Sequence, residues 1–438
     1  MVKTVVVGAG AMGLAAAHHA LKLGHEVEVV EADEVPGGMA AHFDFDGLSI
    51  ERFYHFVCKP DAPTFALLDE LGIGHLMCWR PTSMAYFAGG RLHRWGDPLT
   101  LLGSGLLNPA EKVRYGLQMF LTSRRNGFDD LDRLSARQWI ERWAGPGVYD
   151  KLWRPLMDLK FYQYADDISA AWIASRIRRV GRSRRSLFQE TLGYIQGGSE
   201  TLVHALADSI RSQGGRLRLG APVQEIVAEG GRVTGVRAGG ELIPAEAVIC
   251  TVPTPHVPGL VPALPEAAKA AYAAIRNIGV VCVVHKLNRK VSRHFWVNIV
   301  DPAIAVPGII EFSNLRPLPQ SVVYVPYYMP TDQPKWRAPD EAFIDESFGY
   351  LQRINPALTA ADRLASRVGR LRYAQPVCEP GFGERLPPIR TAIAGLQIAD
   401  TGFYYPEDRG ISEGARLARE MALAVGTDHQ PRREPVYA

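Results

Sequence analysis

An α/β protein, in which a parallel-sheet domain is assembled from separated stretches of chain and an α+β domain is inserted between them, is what three features of this 438-residue sequence predict. The chain opens on a β-branched run, Thr4–Val7, that leads through a glycine-rich turn into a helical pattern. A second group of short strands, at Arg216–Leu219, Val223–Ala228 and Ala247–Thr251, lies far along the chain. A third pattern, Gln397–Tyr404 followed by a helix reaching Ala424, closes it. Strands of one sheet drawn from such distant sequence require the intervening parts to fold as an insertion.

The first element is a continuous apolar strand of the kind buried in a parallel sheet, and the turn after it reads Gly8-Ala9-Gly10-Ala11-Met12-Gly13. Gly8 permits the tight turn, Gly10 lets the backbone approach a pyrophosphate, and Gly13 lets the helix Leu14–Leu23 pack closely on the strand. Phosphates then sit at a helix N-terminus, where free N–H groups and the dipole favour anions. After Gly24 a second strand, Glu26–Val30, ends in Glu31, at the spacing where a carboxylate accepts hydrogen bonds from a ribose 2′-OH and repels a 2′-phosphate. Strand, glycines, helix, second strand and terminal acid coincide, which makes this a Rossmann-like dinucleotide-binding unit.

Further blocks narrow the dinucleotide. Pro36-Gly37-Gly38-Met39 follows Glu31 and Ala32 closely, and Glu51-Arg-Phe53-Tyr54-His55-Phe56 follows the doublet. Gln196-Gly-Gly-Ser-Glu-Thr-Leu202 opens a helix to Gln213 before the strand at Val223, and the strand at Ala247–Thr251 runs into Val252-Pro-Thr-Pro255. Near the end, Asp400 precedes Tyr405-Pro-Glu-Asp-Arg-Gly410-Ile411 and the last helix. Together these blocks resemble the FAD-dependent amine oxidase, protoporphyrinogen oxidase and phytoene desaturase superfamily of two-dinucleotide-binding-domain flavoproteins. The resemblance implies FAD as cofactor. It implies Val223 against adenine, Phe53, Tyr54 and His55 beside the isoalloxazine ring, Thr251 on the segment returning to the substrate domain, and Asp400, Gly410 and Ile411 over the pyrophosphate and ribityl chain. It also implies an FAD-binding domain at 1–85, 191–255 and 369–427 and a substrate domain at 86–190 and 256–368; the Pro and Arg content of 428–438 indicates a flexible tail.

Bulk properties exclude other classes. A net charge of +3 is too small for nucleic-acid binding, and no apolar run approaches the roughly 20 residues that cross a bilayer, so membrane contact is peripheral if present. Five cysteines without a CxxC pair indicate neither a disulfide framework nor a zinc site, and no metal is expected. Without a secretory leader pattern, the expected location is the cytoplasm, with the membrane surface left open.

The reaction is less legible than the cofactor. Flavin amine oxidases place a lysine near flavin N5 on a substrate-domain strand; in the matching strand, Gly279–His285, Val283 stands there and Lys286 falls at the far end. Ile411 stands where those enzymes carry a cage aromatic. Both departures favour a carbon substrate. His55 is either a proton-shuttling imidazole or a residue packed by its aromatic neighbours. Six arginines between Arg176 and Arg185, with Arg178 and Arg179 as candidate substrate contacts, are either a solvated basic loop or a grip for a lipid phosphate, nucleotide sugar or membrane surface. The expected function is hydride removal from a carbon of an apolar, anionic or lipid-linked small molecule, with oxygen, quinone or another electron acceptor. An amine oxidase, a non-redox enzyme like UDP-galactopyranose mutase, and a non-catalytic flavin-binding protein remain alternatives.

Overall fold

The structure of the protein, a computed structural model, describes residues 1–427; the expected flexible tail at 428–438 lies outside the described residues. Five parallel strands form a sheet in the order Arg216–Arg218, Glu26–Val30, Lys3–Val7, Ala247–Cys250 and Leu396–Ile398. The first strand is therefore central, and its valines are buried on both faces, as the continuous apolar run requires. A single apolar cluster joins this sheet to Leu14, Leu202 and Leu417 of three helices and to Ile226 and Val236 of an antiparallel meander. The C-terminal strand is shorter than the sequence suggests: it stops at Ile398, and Asp400 caps a 3₁₀ turn, Thr401–Tyr404, by accepting from the Gly402 N–H.

A second, seven-stranded sheet runs Arg363–Pro376, Asn277–Leu287, Ser321–Met329, Gly308–Glu311, Trp296–Ile299, Met84–Ala88 and Arg91–Trp95. Its pleat separates two cores. Val281 and Val283 face the helix Asp340–Ile354 through Phe343 and Leu351, whereas Val280, Cys282 and Val284 face Met157, Phe161 and Trp172 of the helical layer. The expected domain boundaries at 85/86, 190/191 and 368/369 all fall inside strands, Met84–Ala88, Gln189–Ile195 and Arg363–Pro376. Hydrophobic patterning locates a strand but does not say which sheet it joins. No helix of the described residues is long and apolar enough to cross a membrane.

Candidate functional site

The strand Lys3–Val7 ends at Gly8, which takes φ +102°, and a Cβ there would lie 2.7 Å from Thr251 Oγ1. At Gly13 a Cβ would lie 2.0 Å from the Gly8 carbonyl oxygen, so the helix Ala11–Lys22 approaches the turn this closely only with glycine. Gly10 differs: its Cβ would meet no protein atom within 4 Å, and the residue lies on the wall of a cavity of about 1880 Å³. Gly10 and Gly410 are the N-caps of the helices Ala11–Lys22 and Ile411–Leu423, and neither end is capped by a side chain. Both ends reach this cavity. Two uncapped N-termini on one wall make a site for a polyanion.

Glu31 lies on the same wall and is fixed there: Oε2 accepts from the Ala9 N–H at 2.6 Å and Oε1 from the Asp33 N–H at 2.8 Å. Each oxygen retains a second lone pair for a hydroxyl ligand. Ala32, Gly37, Gly38 and Met39 continue the wall, and a Cβ on Gly38 would lie 3.1 Å from Gly10 Cα. Met12 and Val223 line the cavity as well, as does Thr251, whose hydroxyl donates to the Val7 carbonyl at 3.0 Å and so ties down the glycine turn. Asp400 is buried on this wall, with Oδ2 accepting from the Thr254 N–H at 2.7 Å and Oδ1 from the Gly402 N–H at 2.8 Å. Burial pushes its pKa up, against the pull of those donors. Phe53, Tyr54, His55 and Ile411 stand in the same cavity. His55 Nδ1 is buried without a hydrogen-bond partner, and burial pushes the imidazole pKa down to about 4 despite nearby Glu51.

Comparison with known proteins identifies the family. Residues 13–381 match the family described as flavin containing amine oxidoreductase. The chain belongs to that family. It is 27% identical over 279 residues to a zeta-carotene-forming phytoene desaturase of Myxococcus xanthus, a match covering 58% of this chain and 54% of that protein. It thus spans about half the length of that relative. Against a 15-cis-phytoene desaturase of an Oncidium hybrid cultivar it is 25% identical, with 98% of this chain and 78% of the other covered. A solved structure from Exiguobacterium sp. 255-15, provisionally named a protoporphyrinogen oxidase, superposes with a TM-score of 0.75 at 18% identity, covering 96% of this chain and 98% of the other, and shows the shared fold. As a member of the flavin-containing amine oxidoreductases, the chain is an FAD-dependent oxidoreductase. Its residues fit the cofactor: open space over Gly10, two free helix ends, an anchored Glu31 and an orphaned imidazole nitrogen line one cavity.

Within this flavoprotein family, the lysine comparison changes once the pleat is known. Val283 points to the helix Asp340–Ile354, away from the cavity; Val280 and Cys282 are the residues of that strand that line it. Lys286 is turned elsewhere, donating to the carbonyls of Phe45 and Asp46 at 3.2 and 3.4 Å. The cavity nevertheless has a lysine. Lys160, from the helix Arg154–Phe161, lies 4.9 Å from the Trp172 ring centroid, 5.1 Å from that of Tyr328 and 5.4 Å from that of Phe161. Burial drives its pKa well below the usual lysine value, and Arg176 adds to the effect against Asp408. Arg409 lies beside it, donating to the Tyr328 hydroxyl at 2.9 Å and to the Ala374 carbonyl. Neither cation was singled out from sequence. Lys160 sits inside an aromatic-rich stretch and Arg409 immediately before Gly410, and only those neighbours could have signalled them.

The arginine run is corrected too. Arg176 to Arg182 belong to the helix Ala170–Arg182, not to a loop. Arg176 pairs with Asp408 at 2.6 Å, Arg178 with Glu407, and Arg179 with Asp61 through two bonds of 2.8 and 2.6 Å. Arg178 does not line the cavity; Arg179 does, but its guanidinium is engaged by the buried Asp61. Groups so paired are internal struts rather than a free phosphate grip.

Proposed function

We propose that the enzyme removes hydride from a carbon of an apolar substrate, in a desaturase, dehydrogenase or oxidase reaction, with FAD held by the residues above. The observation that carries this reading is the composition of the chamber beyond Tyr54. Phe56, Met157, Trp172, Phe295, Trp296 and Tyr328 line it, while Lys160 and Arg409 lie on its wall. Apolar burial, worth about 25 cal/mol per Å², would hold a hydrocarbon or ring carbon there. A protonated amine would meet the Arg409 guanidinium instead. The phytoene desaturase relatives support the same direction.

Bound FAD supplies the two-electron acceptor for hydride. The protein's own residues orient the substrate, exclude water and take the proton that leaves the adjacent carbon in a desaturation. Lys160 and His55 are the bases available, since burial favours the neutral form of each. A lipid-linked or membrane-borne substrate suits the same chamber. The sugar-nucleotide alternative loses support, because the guanidinium groups of Arg176, Arg178 and Arg179 are already paired with carboxylates.

The test is anaerobic bleaching of the purified yellow protein against isoprenoid hydrocarbons, porphyrinogens, amines and nucleotide sugars. Bleaching by a carbon substrate and not by amines is expected. Bleaching by amines, or sugar-nucleotide turnover by reduced enzyme without net electron transfer, would overturn the proposal.

A further inference from the structure

Half of the exposed large hydrophobic side chains among the described residues, eight of sixteen, fall in two short stretches. In the helix Pro109–Ser123, Val113, Leu117, Phe120 and Leu121 stand outward with exposures of 68, 50, 45 and 42%. Their spacing of i, i+4, i+7 and i+8 defines one helix face. The opposite face, with Tyr115, Gln118 and Thr122, is buried in the protein. A helix whose outer face is apolar while its inner face is already packed has an unpartnered side. The preceding helix, Pro98–Gly103, adds Leu99 and Leu102 at 66 and 64% exposure, and the turn at Ser186–Gln189 adds Leu187 and Phe188 at 60 and 52%.

These elements are held together rather than scattered. Gly116 admits Leu101 so closely that a Cβ would lie 3.2 Å from its Cδ2. Arg182 donates to the carbonyls of Ser123 and Arg125 at 2.9 and 2.8 Å, locking the two helix ends, and Arg184 donates to the Leu187 carbonyl at 2.8 Å, fixing the turn. Between them the substrate cavity passes into exposed residues: Phe120, Arg124, Arg185 and Leu187 belong to its wall. The rim is basic. Arg124 stacks over Phe120 at 4.4 Å, and Arg185 is exposed with no partner among the described residues. The nearest acid of the long helix, Glu111, is engaged by Lys151 at 2.7 Å.

We propose that this face docks on the anionic surface of a lipid bilayer, with the apolar side chains entering the acyl boundary, the arginines meeting headgroup phosphates, and the cavity mouth opening into the lipid. Charge selects this occupant. A second copy related by a two-fold axis would set one basic rim, with Arg124 and Arg185, against another and close the mouth, whereas an anionic bilayer satisfies both the apolar face and the basic rim. Docking itself stands on the surface alone; substrate delivery through the mouth rests on the apolar-substrate reading above.

The experiment is co-sedimentation of the FAD-loaded protein with substrate-free vesicles of phosphatidylglycerol and phosphatidylcholine, and with phosphatidylcholine vesicles. Wild-type protein should partition to the mixed vesicles. Leu117→Asp with Phe188→Asp should lower partitioning at least about tenfold, and Arg124→Gln with Arg185→Gln should remove the preference for anionic lipid. FAD content should stay unchanged in every variant, which reports an intact fold. Wild-type protein that ignores both vesicles, or apolar variants that bind as wild type, would overturn the proposal. So would a wild-type dimer that Leu117→Asp splits, because a second copy then covers the face. Since the vesicles carry no substrate, failure here is separate from a failed bleaching test.

Discussion

A branched side chain at Gly10 would enter the cavity proposed for FAD and nothing else, because a Cβ there meets no protein atom within 4 Å. Gly10→Val is therefore expected to lower the FAD content of purified protein at least about tenfold while leaving the urea midpoint of the FAD-free chain unchanged. Gly13→Ala should do the reverse. Its Cβ would lie 2.0 Å from a backbone oxygen, so the urea midpoint should drop by an amount equivalent to about 1–3 kcal/mol even without FAD. These glycines were legible in the sequence because their meaning is local: a turn of six residues between a strand and a helix carries it. Lys160 was not legible, because Trp172 and Tyr328, which surround it, lie 12 and 168 residues away. If Lys160 is the base, Lys160→Met should slow flavin reduction about 100-fold or more and abolish the acidic limb of kcat/KM, since a depressed lysine works as a base only above its pKa. An unchanged limb in Lys160→Met, together with its loss in His55→Gln, would assign the role to His55.

At the scale of elements, the helix Ala170–Arg182 shows why a charge run is a poor guide to what its charges do. Sequence displays the arginines but not their partners: Asp61 lies 118 residues earlier, and Glu407 and Asp408 lie more than 200 residues later. Arg179→Gln would strand the Asp61 carboxylate, whose side chain is 6% exposed, and should cost about 3–5 kcal/mol in urea unfolding. Adding Asp61→Asn should recover part of that loss, whereas Gln at the exposed Arg185 should cost nothing measurable. Strands were placed well from β-branched runs, as with Glu26–Val30. Their sheet membership and facing were not. Val283 and Cys282 are adjacent and equally buried, and only the pleat decides that the second meets the cavity.

Across the whole molecule, buried imidazoles set the response to acid. His19 and His294 are pushed down to about 4 and His285 to about 3, in each case chiefly by burial; His285 is held between the hydroxyls of Ser366 and Ser347, each at 2.8 Å. In the unfolded chain each would take its proton near 6.5, well before the folded protein does. Stability is therefore present above about pH 6.5 and is lost as pH falls towards 4, at up to about 1.4 kcal/mol per pH unit for each residue. Urea unfolding at pH 7, 6 and 5 should show this decline, and His285→Gln should make it shallower. A flat profile would mean that these rings are solvated in the folded state.

The central position of the first strand has a further consequence for biosynthesis. Lys3–Val7 soon meets Glu26–Val30 during synthesis, but its other neighbour, Ala247–Cys250, follows about 240 residues later. At roughly 5–20 residues per second, the nascent chain carries a bare valine edge for about 10–50 seconds. An unpaired edge of that kind templates aggregation. The same delay falls on the proposed FAD site, whose second helix end, at Gly410, is made about 400 residues after the first, at Gly10. The chain that emerges must therefore be sheltered before it can be loaded, and yield during expression should respond more to chaperone supply than to added flavin.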